Sequence, residues 1–195
     1  MSDNLRHARE LATPAHRSAC TRLLSPRTCS TAGMRNSSKL AALAFGALSY
    51  GVSAIGALVM KKRGPADGLW YRSLPKPSYQ PPSWIFGPVW TVLYGAIAYS
   101  GYRIWRAPRS SERTRALALW SAQLALNGAW TPIFFGAHKP RIALVDIVAL
   151  DATATAYAAA AAKIDKRAAV VVAPYLAWLA FATTLNGSIA AKTAS

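Results

Sequence analysis

Between Leu40 and Met60 the chain carries no charged side chain, and Lys61, Lys62 and Arg63 follow at once. A bilayer's hydrocarbon core of roughly 30 Å takes about 20 apolar residues of helix to cross. A helix satisfies every backbone hydrogen bond within one segment, as lipid demands. Residues 40–60 therefore read as a transmembrane helix, and a chain anchored this way must solve the rest of its fold in lipid. Four further windows have the length: 83–102, 116–135, 142–162 and 168–191. The expected fold is all-α, an integral membrane bundle of five transmembrane helices within a domain at 39–192. Alanine rather than leucine fills much of the last two windows, which weakens their hydropathy signal.

Charge supports the same class. Only 15% of the 195 residues are charged, the formal net charge is +16, and most of the basic residues lie between the apolar windows. Seven tryptophans and eight tyrosines gather near segment ends, as interfacial belts do. An alanine-rich soluble helical bundle is the alternative these features disfavour. The basic residues are spread over every linker rather than clustered on one domain, which excludes nucleic acid as partner and matches anionic lipid head groups. With the tail set aside, they divide evenly between the two membrane sides, so no orientation follows.

Residues 1–38 are rich in Arg, Ser, Thr and Ala, with Asp3 and Glu10 the only acids. This segment reads either as an organelle transit-like leader or as a disordered basic extension. Cys20 and Cys29, the only cysteines, both lie in it, so no disulfide framework or metal cluster is available to the body. In residues 64–83, Pro75, Pro77, Pro81 and Pro82 stiffen a stretch that also holds Trp70, Tyr71 and Tyr79. The expectation is an ordered, non-helical lid running into the second span.

Periodicity then places candidate residues on faces. Trp90, Tyr94, Ile97 and Gly101 share one face of the second span, with Pro88 bending its start. Gly46, Gly51 and Gly56 give the first span small residues for packing within the monomer. In the third span Gln123 and Asn127 must find partners inside the bundle, either neighbouring helices or a ligand. Asp146 and Asp151 point about 140° apart and form no carboxylate pair. Asp146 is either a functional intramembrane carboxylate or a helix-end anchor pairing with Lys139 or Arg141. Pro174, Tyr175, Trp178, Ala182 and Leu185 make an aromatic-then-small face on the fifth span. No phosphate loop, metal-ligand spacing or Ser/His/Asp arrangement occurs. An aromatic-lined intramembrane pocket for flat apolar ligands remains.

Trp70-Tyr71, Leu74, Lys76-Pro77-Ser78, Pro81-Pro82, Trp84, Trp90 and Leu93-Tyr94 together resemble the translocator protein family, also called tryptophan-rich sensory proteins (TspO/MBR) or peripheral-type benzodiazepine receptors. So do the runs Gln123-Leu124-Ala125-Leu126-Asn127, Ala129-Trp130, Pro132-Ile133-Phe134-Phe135-Gly136-Ala137 and the ten residues from Pro174 to Thr183. The resemblance implies five transmembrane helices, usually dimeric, around a pocket for porphyrin or haem, sterol-like molecules and synthetic ligands. It further implies that no cofactor is required and that porphyrin or haem is the ligand. Trp90 and Trp178 match pocket tryptophans, Tyr71 a loop tyrosine tied to light-dependent porphyrin breakdown, and Asn127, Ala182 and Asp146 pocket or fourth-helix positions. Phe86, Gly87, Val89, Trp130 and Leu185 complete the candidate ligand-binding set.

Two departures stand out. After Leu185-Asn186 there is no tyrosine before the basic Lys192, where sterol-binding members carry one, and Ile142 and Tyr79 occupy tryptophan positions. The leading expectation is a membrane receptor or carrier of tetrapyrroles, with sterol as a further ligand, homodimeric, in the mitochondrial outer membrane or another organelle membrane. Two alternatives accompany it: a light-dependent porphyrin-degrading enzyme using Trp90, Trp178 and Tyr71, and a small ion or proton transporter using the aspartates.

Overall fold

The computed structural model describes residues 31–62 and 65–193, and among them every regular element is helical. The order is α1 (Thr31–Lys61), α2 (Pro65–Ser73), α3 (Ser83–Arg106), α4 (Ser111–Thr131), a π-helical turn (Pro132–Gly136), α5 (Pro140–Ala162), α6 (Lys166–Val171) and α7 (Ala173–Lys192). Ser37–Lys61 of α1, all of α5 and the consecutive α6–α7 pair are long and apolar enough to cross a membrane. α3 and α4 have the length, at 24 and 21 residues, but fall outside that criterion. In α4 the reason is plain: Glu112, Arg113 and Arg115 open it, and Gln123 and Asn127 interrupt its apolar stretch. The protein is an all-helical integral membrane protein, and by length and composition three of its described spans, against the five expected, qualify as membrane-crossing.

Three local features differ from the sequence reading. The lid segment is not wholly loop, because its first part is α2. Pro65 sits where a helix tolerates proline, at the first position, and no proline follows until Pro75. Leu74–Pro82 is the non-helical remainder. The third span ends at Thr131, since Pro132 removes the next amide donor and Ala137 N–H bonds to the Pro132 carbonyl five residues back, at 2.8 Å. The fifth span is two helices, interrupted at Val172 just before Pro174. The leader reading covers residues 1–38; residues 1–30 lie outside the described residues, and α1 already begins at Thr31.

α5 is the central helix, packed on α4, α6 and α7. Its alanines explain themselves there. Ala143, Ala154 and Ala161 are fully buried, and their small side chains bring neighbouring helices close, while Leu150 and Tyr157 fill the spaces between. Ser100 on α3 ties three elements together, donating to the Ala168 carbonyl at 2.7 Å and sharing a 2.6 Å hydrogen bond with the Tyr157 hydroxyl. Just above it, Arg103 pairs with Asp165 at 2.6 Å, and Asp165 also caps α6 through Arg167 and Ala168 N–H.

Gly101 is the tightest crossing. A Cβ there would lie 2.6 Å from Trp120 Nε1 and 2.8 Å from Phe45 Cδ1. The absent side chain lets Trp120 donate to the Ile97 carbonyl at 2.9 Å, with Phe45 of α1 edge-on against its ring at 4.8 Å. α1 is otherwise shallowly seated. Tyr50 donates to the Thr91 carbonyl and Gly56 faces Thr131, but Leu40, Leu43, Leu48, Ile55 and Leu58 stay exposed. Gly46 and Gly51 have open space where packing within the monomer is expected from sequence.

Candidate functional site

Two proline-bearing helix starts, α3 and α7, converge with the end of the lid segment. Proline disturbs backbone pairing in the first turns, and short side chains beside it leave space. The result is an apolar groove of about 730 Å³, walled by Pro81 of the lid, Pro88, Val89 and Val92 of α3, and Pro174, Ala177, Trp178 and Phe181 of α7. Trp178 dominates it. Its ring meets Phe86 edge-on at 5.6 Å and Phe181 at 5.6 Å, and Tyr79 from the lid reaches Phe181 at 6.3 Å. The Tyr79 hydroxyl is also 2.7 Å from Ser188 Oγ, which fastens the lid segment to α7. Trp178 Nε1 is buried and has no hydrogen-bond partner among the described residues. A buried donor left unpaired costs about 1–3 kcal/mol, so a ligand acceptor offered to it is rewarded.

Trp90 lies one residue beyond Val89 but turns inward. It packs on Tyr94 at 5.3 Å and on Tyr175 at 6.3 Å. Behind these rings runs a buried chain of hydrogen bonds. Tyr94 hydroxyl donates to Asn127 Oδ1 (2.6 Å), Asn127 Nδ2 to Tyr175 hydroxyl (3.2 Å), Tyr175 hydroxyl to Gln123 Oε1 (2.8 Å), and Gln123 Nε2 to the Trp120 carbonyl (3.0 Å). Both amides of the third span are thus engaged with protein groups, as polar groups facing a lipid-excluded interior require. Asn127 supports the wall that carries Trp90.

Tyr71 belongs to a second cluster at the far end of α4. Its ring packs on Phe135 at 5.2 Å, Lys76 Nζ lies 4.5 Å over its face, and Gln80 Nε2 donates to its hydroxyl at 3.0 Å. Burial pushes the phenol's pKa up, against the smaller opposite pull of the Gln80 hydrogen bond. Trp130 stacks on Phe134 here at 4.9 Å, and Trp70 stacks on His138 at 4.1 Å. Trp130 packs on both clusters and joins them.

The structure therefore gathers Phe86, Val89 and Trp178 at the groove, with Trp90 and Asn127 behind it and Tyr71 with Trp130 elsewhere. Ala182 packs on the main core, Leu185 is buried, and Gly87 is exposed with nothing near a would-be Cβ. Asp146 makes no ion pair with Lys139 or Arg141 among the described residues, and one of its oxygens is buried without a partner. Asp151 accepts from Thr183 at 2.8 Å. Sequence reasoning placed Pro174 and Trp178 on one face but passed over Phe181 and Ala177 as groove residues, although positions 174, 177, 178 and 181 share one helical face.

Residues 42–191 match the TspO/MBR family along their whole length. The chain belongs to the TspO/MBR family. It is 44% identical to the human translocator protein over 135 residues, 68% of this chain and 80% of that one. It is 38% identical to the tryptophan-rich protein TspO of Archaeoglobus fulgidus over 120 residues, 62% and 77% of the two chains. Protein CrtK of Rhodobacter capsulatus is 35% identical over 125 residues, 64% and 78%. The groove, the amide chain and the Tyr71 cluster all lie within the matched TspO/MBR region, whereas residues 1–41 fall outside it.

Proposed function

We propose that this TspO/MBR protein is a membrane receptor or carrier that binds tetrapyrroles, porphyrin or haem, against Trp178 in the α3–α7 groove, with sterol-like lipids as a second ligand class. The observation that carries the reading is the buried Trp178 indole, without a hydrogen-bond partner among the described residues, in the wall of an apolar groove of about 730 Å³. Phe86 and Phe181 flank it at stacking range, and Val92 opens the groove toward lipid, from which an apolar ligand would enter. The relatives named for translocation and for tryptophan-rich sensing fit such a binder. On this reading α1, α3, α4, α5 and α6–α7 make five crossings, the protein works as a homodimer, and the mitochondrial outer membrane is its site.

Protoporphyrin titrated into the detergent-purified full chain should quench tryptophan emission saturably. Replacing Trp178 by alanine should weaken binding by roughly 1–3 kcal/mol, the scale of a lost buried aromatic contact. Phenylalanine at the same position should recover the stacking but not the indole N–H. Equal affinity in wild type and both variants refutes the site.

A further inference from the structure

The turn between α3 and α4 carries a second cavity, unlike the groove in every respect. It measures about 530 Å³ and is walled by Arg109, Arg113, Ser110, Ser111 and Thr114, with Leu117 one turn below Arg113. Five arginines fall between positions 103 and 115, and the structure divides their tasks. Arg103 is committed to Asp165, and Arg106 lies over the Tyr102 ring at 5.8 Å. Arg109 and Arg113 face the cavity instead. Arg113 Nε is buried and has no hydrogen-bond partner among the described residues, which leaves part of a guanidinium desolvated and unsatisfied. Such a group is the natural partner of a phosphate oxygen.

The level of the cavity is marked by neighbouring rings. Tyr102 and Trp105 stack at 6.4 Å on the last turns of α3, and amphipathic rings of this kind settle at lipid head groups. Leu117 packs on the apolar core below, so the cavity is cationic at its mouth and apolar at its base. Serine hydroxyls are not the main donors. Glu112 takes hydrogen bonds from its own backbone N–H and from Ser110 and Ser111, which holds its carboxyl below the usual range, and Ser110 Oγ caps Arg113 N–H. An anion arriving here is held by guanidinium groups and repelled by Glu112.

We infer that the Arg109–Arg113 cavity is a binding site for the phosphate of an anionic phospholipid, with the root of an acyl chain lying along Leu117. The site is separate from the α3–α7 groove and does not depend on what binds there. Its phosphate chemistry is shared with free inorganic phosphate, and the test separates the two.

Short-chain phosphatidic acid is titrated into the purified full chain, and the bound species is counted by native mass spectrometry. The wild type should bind one molecule saturably. R109Q/R113Q should raise Kd by about fivefold for each arginine lost, the weight of one basic side chain at an anionic surface. K61Q/K62Q removes the same charge from another linker and should leave Kd within about twofold, whereas a loss equal to that of R109Q/R113Q would mean diffuse attraction and overturn the site. Unchanged binding by R109Q/R113Q also overturns it. Inorganic phosphate that displaces the lipid at matched concentration overturns the lipid source. E112Q is an independent arm should the arginine variant not fold: tighter binding supports the proposal, and unchanged or weaker binding refutes it.

Discussion

Replacing Asn127 by leucine keeps the volume and deletes the amide at the centre of the buried hydrogen-bond chain. Two bonds vanish, from the Tyr94 hydroxyl at 2.6 Å and to the Tyr175 hydroxyl at 3.2 Å. Tyr175 still donates to Gln123, but Tyr94, only 6% exposed, is left with a hydroxyl and no acceptor. Side-chain hydrogen bonds between membrane helices average about 0.6 kcal/mol and reach about 1.7, so two lost bonds remove about 1.2 kcal/mol and the orphaned hydroxyl carries the total toward 3. Unfolding in mixed micelles, followed by near-ultraviolet circular dichroism, measures this for Tyr94→Phe, Asn127→Leu and the double variant. The Tyr94–Asn127 coupling should fall between about 0.6 and 1.7 kcal/mol. Porphyrin affinity should move little in Asn127→Leu, because the amide does not line the groove. Coupling within about 0.3 kcal/mol of zero refutes the hydrogen-bond chain; a tenfold loss of affinity at unchanged stability makes Asn127 a ligand contact.

Two further predictions test the scaffold. Gly101→Ala forces a methyl to within 2.6 Å of a fully buried, hydrogen-bonded indole and should cost about 1–3 kcal/mol by overpacking, read as a lower unfolding midpoint in the same assay; a change under about 0.5 kcal/mol shows that Trp120 can yield. Asp165 has its carboxyl held below the usual range, first by the Arg103 hydrogen bond, so its contribution is complete above the unfolded carboxylate value near 3.9 and fades as pH falls below it. Asn at 165 retains the α6 cap but not the charge, so the wild-type advantage over Asp165→Asn should be flat from about pH 5 to 7 and shrink below about pH 4; a flat difference down to pH 3 refutes the ion pair's role.

Much of the fold is legible because lipid allows few solutions. Uncharged length announces α1, and the need to satisfy Gln123 and Asn127 inside the bundle follows from their cost in hydrocarbon. The face Trp90, Tyr94, Ile97 and Gly101 can be read from periodicity, and the last three are buried. What escapes sequence is the effect of proline on its neighbours. Counting prolines across 64–83 hides the proline-free run that becomes α2, and the apolar windows 116–135 and 168–191 run straight through Pro132 and Pro174, where the structure has a π-turn and a break. At the site, aromatic content picks out Trp178 and Trp90 alike. Only packing shows that one faces the groove and the other the amide chain, and that Tyr71 belongs to another cluster.

The shallow seating of α1 bears on how the molecule is put together. α1 needs nothing from the others to satisfy its backbone, and its exposed leucines are content in lipid. What it lacks until later are the pegs, Phe45 on Trp120 and Tyr50 on Thr91, supplied by α3 and α4. The other helices can therefore knit their polar interior first, with α1 latching on as the closing step of assembly.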